Sequence, residues 1–362
     1  MESIVSKILQ HQKFSIPEIL ILLNAENEDE RLLYQKAREI KLLNTGDKVY
    51  LRGLIEFSNV CDKDCFYCGI RKSNKRIKRY FLSDEEVIKA SRFAFSNKYG
   101  SIVLLSGEMK SEKFVERIER LVKQIRQITG DEFGITLSCG EQSKTTYLRW
   151  FKAGATRYLL RIETANENLY NKIHPNDRSH DFQSRVNSLA VLKKIGYQVG
   201  TGIMVGLPGQ TLLHLAEDIL FMKKLDIDMC GIGPFIEHHE TPLFHHNNIW
   251  DLDSRFDLTL KVLAIIRIMM KNINIAASTA LQSIDKFGRE KAIQLAANVF
   301  MPNLTPVHYR EDYSLYDNKS CVKESPDDCQ ICTTARIEMV NGNIAFGEPG
   351  DSTHYILRKS KV

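Results

Sequence analysis

Hydrophobic and polar positions change rhythm along the chain. Through residues 1–44, apolar side chains recur every three or four positions in SIVSKILQH, IPEILILLN and DERLLYQKAREIKLLN, the second opened by Pro17. That spacing predicts amphipathic helices. From position 48 onward, short apolar runs alternate with amphipathic stretches. The runs cover 49–57, 101–107, 134–140, 157–164, 199–206, 228–235, 273–279 and 297–303. Between them, DEEVIKASRFAFSN, KFVERIERLVKQIRQI, RVNSLAVLKKIG, TLLHLAEDILFMKKL and a long segment over 254–271 read as helices.

Strands of a parallel sheet covered on both faces are near-continuous apolar runs, and these fit that description. Eight strand–helix alternations over roughly 255 residues predict an α/β fold of the (β/α)8 TIM-barrel type, with a doubly wound open sheet as the alternative. The expected organisation is an N-terminal helical extension over 1–45, the barrel over 46–304, and a C-terminal segment over 305–362 packed on the barrel. No fixed-period repeat and no low-complexity tract interrupts it.

Composition sharpens this picture by exclusion. The chain has 362 residues, 43% hydrophobic and 26% charged, with 50 basic and 45 acidic side chains and a net charge of +5. Those are ordinary values for a globular protein, and the charge is too mild to argue for nucleic acid or a membrane as partner. Glu2 and the polar Gln10–His11–Gln12 stand where a signal peptide needs an apolar stretch. The longest apolar run, 258–270, is interrupted by Lys261 and Arg267 and is too short to span a bilayer. The expected location is cytoplasmic.

Eight cysteines then carry the chemistry. Cys139 and Cys230 stand alone in strand-like context and read as small buried hydrophobes. The other six form two triplets: Cys61, Cys65 and Cys68 in CDKDCFYC, and Cys321, Cys329 and Cys332 in CVKESPDDCQIC. A triplet this tight can converge soft thiolates on a metal centre. Structural zinc asks for four protein ligands, and iron–sulfur cubanes usually take four cysteines. The first triplet has no fourth cysteine nearby, and the next histidine is His174. Three thiolates on a four-iron cluster leave one iron open.

On the barrel map these residues fall after strand ends, where barrel enzymes gather their chemistry. Cys61–Cys68 follow the first strand, Ser106, Gly107 and Glu108 the second, and Ser138 to Glu141 the third. Arg161 and Glu163 end the fourth, GLPGQT follows the fifth, and Ser278 and Thr279 end the seventh.

A C-x3-C-x2-C loop after a first strand, with Tyr67 before the last cysteine and the SGE motif after the second strand, resembles the radical S-adenosylmethionine superfamily. The likeness extends to its biotin-synthase-like branch, and most to the HydE-like group of FeFe-hydrogenase maturases. It is carried by IEFSNVC (55–61), YCG (67–69), SGE (106–108), YLLRIETAN (158–166), MVGLPGQT (204–211), GIGPFI (231–236) and ANVFMPN (297–303). The resemblance implies an anaerobic enzyme that holds a 4Fe–4S cluster on Cys61, Cys65 and Cys68. S-adenosylmethionine would chelate the open iron and be cleaved by one electron to a 5′-deoxyadenosyl radical. It also implies a reducing electron donor, a small-molecule or organometallic substrate such as a cysteine-bound iron–carbonyl–cyanide precursor, and other hydrogenase maturation proteins as partners.

Cofactor contacts implied by motif position are Tyr67, Ser106, Gly107, Glu108, Ser138, Glu163, Arg185, Gly206 and Leu207. Glu108 would face the methionine amine and Arg185 the methionine carboxylate. Substrate contacts would be Arg161, Ser278, Thr279, Met301 and Tyr313. Alternation along a strand puts Arg161 and Glu163 on one side. For Cys321, Cys329 and Cys332 the resemblance implies a second iron–sulfur cluster, 2Fe–2S or 4Fe–4S, with zinc and unliganded thiols left open. The chain departs from the HydE-like pattern at Ile162, where histidine is frequent, at Leu105, and in MKSEKF after SGE. Those departures leave room for a biotin-synthase-like or methylornithine-synthase-like reaction, or for a non-catalytic iron–sulfur carrier.

Overall fold

The structure is a computed structural model and describes residues 2–244 and 246–360, so the outermost ends of the first and third expected segments lie outside the described residues. Ten strands follow in chain order: β1 Lys48–Ser58, β2 Ser101–Ser106, β3 Gly134–Ser138, β4 Arg157–Leu159, β5 Gln198–Thr201, β6 Met204–Val205, β7 Met229–Pro234, β8 Asn274–Ala277, β9 Val299–Phe300 and β10 Asn343–Ile344. The path β1-β2-β3-β4-β5-β7-β8-β9 is parallel throughout and closes when β9 pairs with β1 through Tyr50↔Val299 and Leu51↔Phe300. The eight apolar runs thus supply the eight staves of a closed barrel with helices outside, a (β/α)8 fold. The open-sheet alternative falls with that closure.

The barrel forms because its strands are covered on both faces, with mostly apolar side chains on each. Ile102, Val103 and Leu104 of β2 and Ile135 and Leu137 of β3 are all buried. The helices present one apolar stripe each; along Glu112–Thr129 it is Phe114, Val115, Ile118, Leu121, Val122 and Ile125. Serines repeatedly start these helices, as Ser83 does with Glu86 in a capping box ahead of Asp84–Ser96.

Two expected strands are shorter than their apolar runs. The run over 157–164 leaves strand geometry after Leu159. The N–H groups of both Ile162 and Glu163 donate to the carbonyl of Gly202, and Glu163 takes φ +66°. The run over 199–206 splits into β5 and β6 at Gly202, where a Cβ would stand 1.9 Å from the Gly231 carbonyl oxygen. These breaks lie at the C-terminal rim, where they turn side chains toward the barrel mouth. No helix among the described residues is long and apolar enough to cross a membrane.

The N-terminal helices Ile4–Ile8, Ile16–Leu23 and Asn27–Thr45 lie against the barrel's outer layer, with Glu30 3.5 Å from Lys261 of the helix Leu252–Met269. At the other end of the chain, β10 pairs with the start of β1 (Lys48↔Asn343). The loop after it floors the barrel. Arg157 donates to Asp351 and to the Pro349 carbonyl, and Arg52 and Asn274 both donate to the Gly350 carbonyl. Neither β10 nor the helix Pro326–Met339 was expected; that helix starts with a capping box from Ser325 to Asp328 in a stretch that reads as exposed acidic loop.

Candidate active site

Beyond a register shift between Glu56 and Ser58, β1 feeds the loop that carries Cys61, Cys65 and Cys68. Polar groups inside the loop set its shape. Asp64 accepts two bonds from Arg71, each 2.8 Å, and two from Ser73. Burial alone would raise its carboxyl, but these donors hold it at about 2. Arg79 staples the turn: Nη1 donates to the carbonyls of Asn59 (2.6 Å) and Ile70 (2.8 Å), Nη2 to those of Arg71 (2.6 Å) and Asn74 (3.0 Å). From the β4 side, His180 Nε2 accepts the Asp64 N–H at 3.0 Å while its Nδ1 faces Asp177.

The loop after β2 closes on this one. Gly107 donates to the Ser58 carbonyl, and Asp62 donates to the Glu108 carbonyl. A Cβ at Gly107 would stand 2.2 Å from the Val60 oxygen and 2.7 Å from the Cys61 Cβ, so only glycine permits this approach. The Glu108 N–H points at Cys61 Sγ over 3.3 Å. Its side chain enters a buried quartet. Lys63 lies 3.3 Å from both Glu108 and Glu141. Arg185 lies 2.9 Å from Glu141 and 3.4 Å from Glu108. Lys63 also donates to the Ser179 carbonyl. Burial raises the Glu141 carboxyl, but Arg185 and Lys63 outweigh it and bring it below its ordinary value. Burial opposes charge on Arg185, and its carboxylate neighbours more than reverse that. Two buried cations and two buried anions give a neutral quartet, which the exposed Lys110 approaches from outside at 3.5 Å from Glu108.

Burial and mutual proximity push the bare thiols up, Cys65 to about 12. They become anionic only beside a positive centre, as ligands do. Their spacing bears on which centre fits. Among the described residues they do not form a set with all ligand atoms within 4.8 Å of one another, as sharing one ion requires. A cluster instead asks each thiolate to hold a separate iron. Three soft donors, one N–H aimed at a sulfur and a glycine cradle fit an iron–sulfur cluster.

The thiols open onto a cavity of about 190 Å³. Of the residues anticipated from sequence, Tyr67, Ser106, Gly107, Glu108, Ser138, Glu163, Arg185, Arg161 and Tyr313 line it with the three cysteines. Lys63, His174, His180, Tyr170 and Leu315 also line it and were not anticipated. Arg161 Nη2 reaches Glu163 Oε2 at 2.9 Å and the Ile203 carbonyl at 2.8 Å. Ile162 points the other way and is fully buried in the core. The Tyr67 hydroxyl donates to His174 Nε2 at 3.1 Å. His174 Nδ1 donates to the Tyr170 carbonyl at 2.9 Å, which fixes that tautomer, and burial lowers its pKa to about 3.

Five anticipated residues do not line this cavity. Gly206 and Leu207 sit in a turn whose N–H groups both donate to Gln210 Oε1. Leu207 joins a small apolar cluster with Leu169, Ile173, Phe235 and Leu243, on which Tyr67 of the site also packs. Ser278 and Thr279 start the helix after β8, with the buried Ser278 Oγ unpartnered among the described residues. Met301 is half-buried, and its carbonyl accepts from Arg289. The GLPGQT motif signals a turn but not the direction it faces, and strand ends shift by a residue or two from the apolar runs that announce them.

Cys321, Cys329 and Cys332 gather around the start of the helix Pro326–Met339. Cys321 takes φ +63° ahead of it, Cys329 is buried and Cys332 is exposed one turn on. Arg310 stitches this segment to the barrel, donating to the carbonyls of Cys321, Glu324, Thr305 and Asn303. Elsewhere, His238, His239 and Asp317 converge within 4.8 Å. His238 Nδ1 already accepts the Glu240 N–H, which leaves its proton on Nε2, and Asp317 bonds His239 at 2.8 Å. The trio reads as a latch between two loops.

The sequence pattern of the Radical SAM superfamily matches residues 55–222. Over 308 residues, 85% of each chain, the protein is 44% identical to the FeFe-hydrogenase maturase subunit HydE of Thermotoga maritima. It is 29% identical over 314 residues, 86% of this chain and 85% of the other, to the 3-methylornithine synthase of Methanosarcina acetivorans. Its fold is similar to the crystal structure of methylornithine synthase (PylB), with a TM-score of 0.81 at 24% identity, covering 95% of this chain and 98% of that one.

Proposed function

The chain belongs to the radical SAM superfamily and is a radical S-adenosylmethionine enzyme, and from that premise we propose that it acts in assembling the active-site cofactor of FeFe-hydrogenase. The family implies a 4Fe–4S cluster and S-adenosylmethionine. The reading rests above all on the 44% identity to a HydE maturase across 85% of both chains, which spans the thiol loop, the quartet and the barrel mouth.

Cys61, Cys65 and Cys68 hold the cluster. Bound there, the cluster and S-adenosylmethionine would supply one-electron reductive chemistry at the sulfonium. The chain's own part is orientation and exclusion of water. The neutral quartet receives a zwitterion: Arg185 takes the methionine carboxylate as a fork, and Glu108 takes the amine. Lys63 and Glu141 keep each of those groups partnered. Gly107 and Ser106 bring backbone close, and Tyr67, held by His174, packs beside the nucleoside. The substrate is a cysteine-bound iron–carbonyl–cyanide precursor. Arg161 and Tyr313, which line the cavity, meet it there. Cys321, Cys329 and Cys332 carry a second, surface iron–sulfur cluster that catalysis does not need.

Anaerobic iron–sulfur reconstitution with electron paramagnetic resonance tests this reading. A reduced-cluster signal that shifts with S-adenosylmethionine and disappears in Cys65→Ala is expected, as is restored hydrogenase activity in a maturation assay lacking its own HydE. A signal that persists unshifted in Cys65→Ala rejects the site, and points to an iron–sulfur carrier. In a C321S/C329S/C332S variant, iron content should drop while the shifted signal stays.

A second reading has one observation in its favour. The neutral quartet would orient an amino-acid substrate equally well, and the chain is 29% identical to a 3-methylornithine synthase. Deuterium passing from a labelled amino acid into 5′-deoxyadenosine would decide for it.

A further inference from the structure

The segment directly after the thiol loop, Arg71 to Arg79, holds six basic residues in nine and no acid. Three of them work inside the fold. Arg71 forks onto Asp64, Arg79 holds four carbonyls, and Arg76 pairs with Glu240 at 2.6 Å. Lys72, Lys75 and Lys78 are all exposed. Among the described residues none of the three has a carboxylate within 4.0 Å, and the one bond given to their ammonium groups runs from Lys75 to the Lys72 carbonyl at 3.3 Å. Three like charges on one short loop repel each other and contribute nothing to its folding.

Their placement is fixed from below. The Lys72 N–H donates to the carbonyl of Lys63, between Cys61 and Cys65, at 2.8 Å. The Lys78 carbonyl accepts from Asn59 Nδ2 at 2.7 Å, two positions before Cys61. The lysines therefore ride on the backbone that holds the thiols, one hydrogen bond out. An electron bound for a cluster on those thiols has a short route through this backbone, and transfer slows steeply with distance. Charge of one sign at such a face raises the encounter rate with a partner of the other sign.

We propose that Lys72, Lys75 and Lys78 form the docking surface for an acidic one-electron carrier protein of the ferredoxin class. One electron leaves the reduced carrier and one enters the cluster on Cys61, Cys65 and Cys68; no bond forms or breaks and no proton moves. This rests on the functional reading above. A compact acidic protein fits better than an extended polyanion, since only three charges are free on this short loop and the neighbouring Arg71, Arg76 and Arg79 are taken up by Asp64, Glu240 and four carbonyls.

The test uses the reconstituted holoenzyme and two reductants, dithionite and a purified, reduced acidic ferredoxin, with formation of 5′-deoxyadenosine as readout. In K72E/K75E/K78E the KM for ferredoxin should rise at least tenfold, and K72Q/K75Q/K78Q should fall between. The rate with saturating dithionite and the cluster's resonance spectrum should match wild type. Rising salt should weaken ferredoxin-driven turnover in wild type more than in the glutamine variant. A ferredoxin KM within twofold of wild type overturns the proposal. So does a loss of activity equal with both reductants, which would make the lysines supports of the loop. Loss of binding to anionic vesicles with an unchanged ferredoxin KM would turn the patch into a polyanion surface instead. A wild type that cleaves nothing with dithionite rejects the functional reading itself, and the docking surface falls with it.

Discussion

The backbone N–H of Glu108 points at the sulfur of Cys61 over 3.3 Å, while the carboxylate of the same residue enters the buried quartet facing the cavity. One residue thus couples the Cys61 thiol to the charged wall of the cavity. The coupling depends on Gly107, whose missing side chain lets the two loops meet.

Gly107→Ala forces a backbone shift, because its Cβ would stand 2.2 Å from a carbonyl oxygen with no flexible side chain to yield. The apoprotein should lose about 1–3 kcal/mol, the usual cost of overpacking. Iron bound per chain after reconstitution should fall, and the resonance shift on adding S-adenosylmethionine should shrink. Chemical unfolding and iron analysis on one preparation check both.

Lys63→Met removes a cation shared by two carboxylates whose side chains are each 6% exposed. Breaking a buried ion network from one side costs about 3 kcal/mol. Glu108 should then turn further toward Arg185 and compete with the methionine carboxylate, weakening S-adenosylmethionine binding about tenfold, or ~1.4 kcal/mol. Lys63→Arg should recover most of the stability. Calorimetric titration of S-adenosylmethionine into the reconstituted variants gives the affinity.

Arg79→Lys leaves one nitrogen where two served four carbonyls. Each lost bond to a shielded carbonyl is worth about 1 kcal/mol. The barrel strands should keep their hydrogen-exchange protection while amides over 60–74 exchange faster and cluster retention drops. Equal protection in that loop before and after the substitution would reject the staple.

Asp218 gives the fold a pH dependence. Fully buried, it accepts from Thr164 and from the Ala165 N–H behind the cavity, and its second oxygen has no partner among the described residues. Burial raises its carboxyl to about 7, against about 3.9 in an unfolded chain. Between those values the native state holds a proton the unfolded state has lost, so stability falls as pH rises from about 4 to about 7. The slope should amount to a few kcal/mol. Asp218→Asn should flatten it, as denaturant unfolding at pH 5 and pH 8 would reveal.

Much of this was legible in the sequence, because buried parallel strands write themselves as unbroken apolar runs and cysteine spacing survives any register error. Strand alternation anticipated Arg161 and Glu163 on one side, but not their pairing with each other. The structure delivers it through a bulge on Gly202 after the strand has ended. Lys63 was passed over because a lysine among charged neighbours in CDKDC reads as solvated; only the fold brings Glu141 from 78 positions away to bury it. Its one signal was the position itself, inside a loop whose flanking residues must face inward. Gly206 and Leu207 stand off the cavity for the opposite reason: a recognisable motif fixes its own turn, and the turn's outlook depends on Gln210.

The floor of the barrel comes from the last stretch of the chain. Arg52, near the start of β1, waits for the carbonyl of Gly350, 298 positions downstream. Closing so long a loop adds little to the final free energy but slows the search for it. A chain still emerging from the ribosome therefore has its thiol loop in hand long before it has a sealed lumen. A chain cut short before β10 would lack that floor and leave the barrel open from beneath.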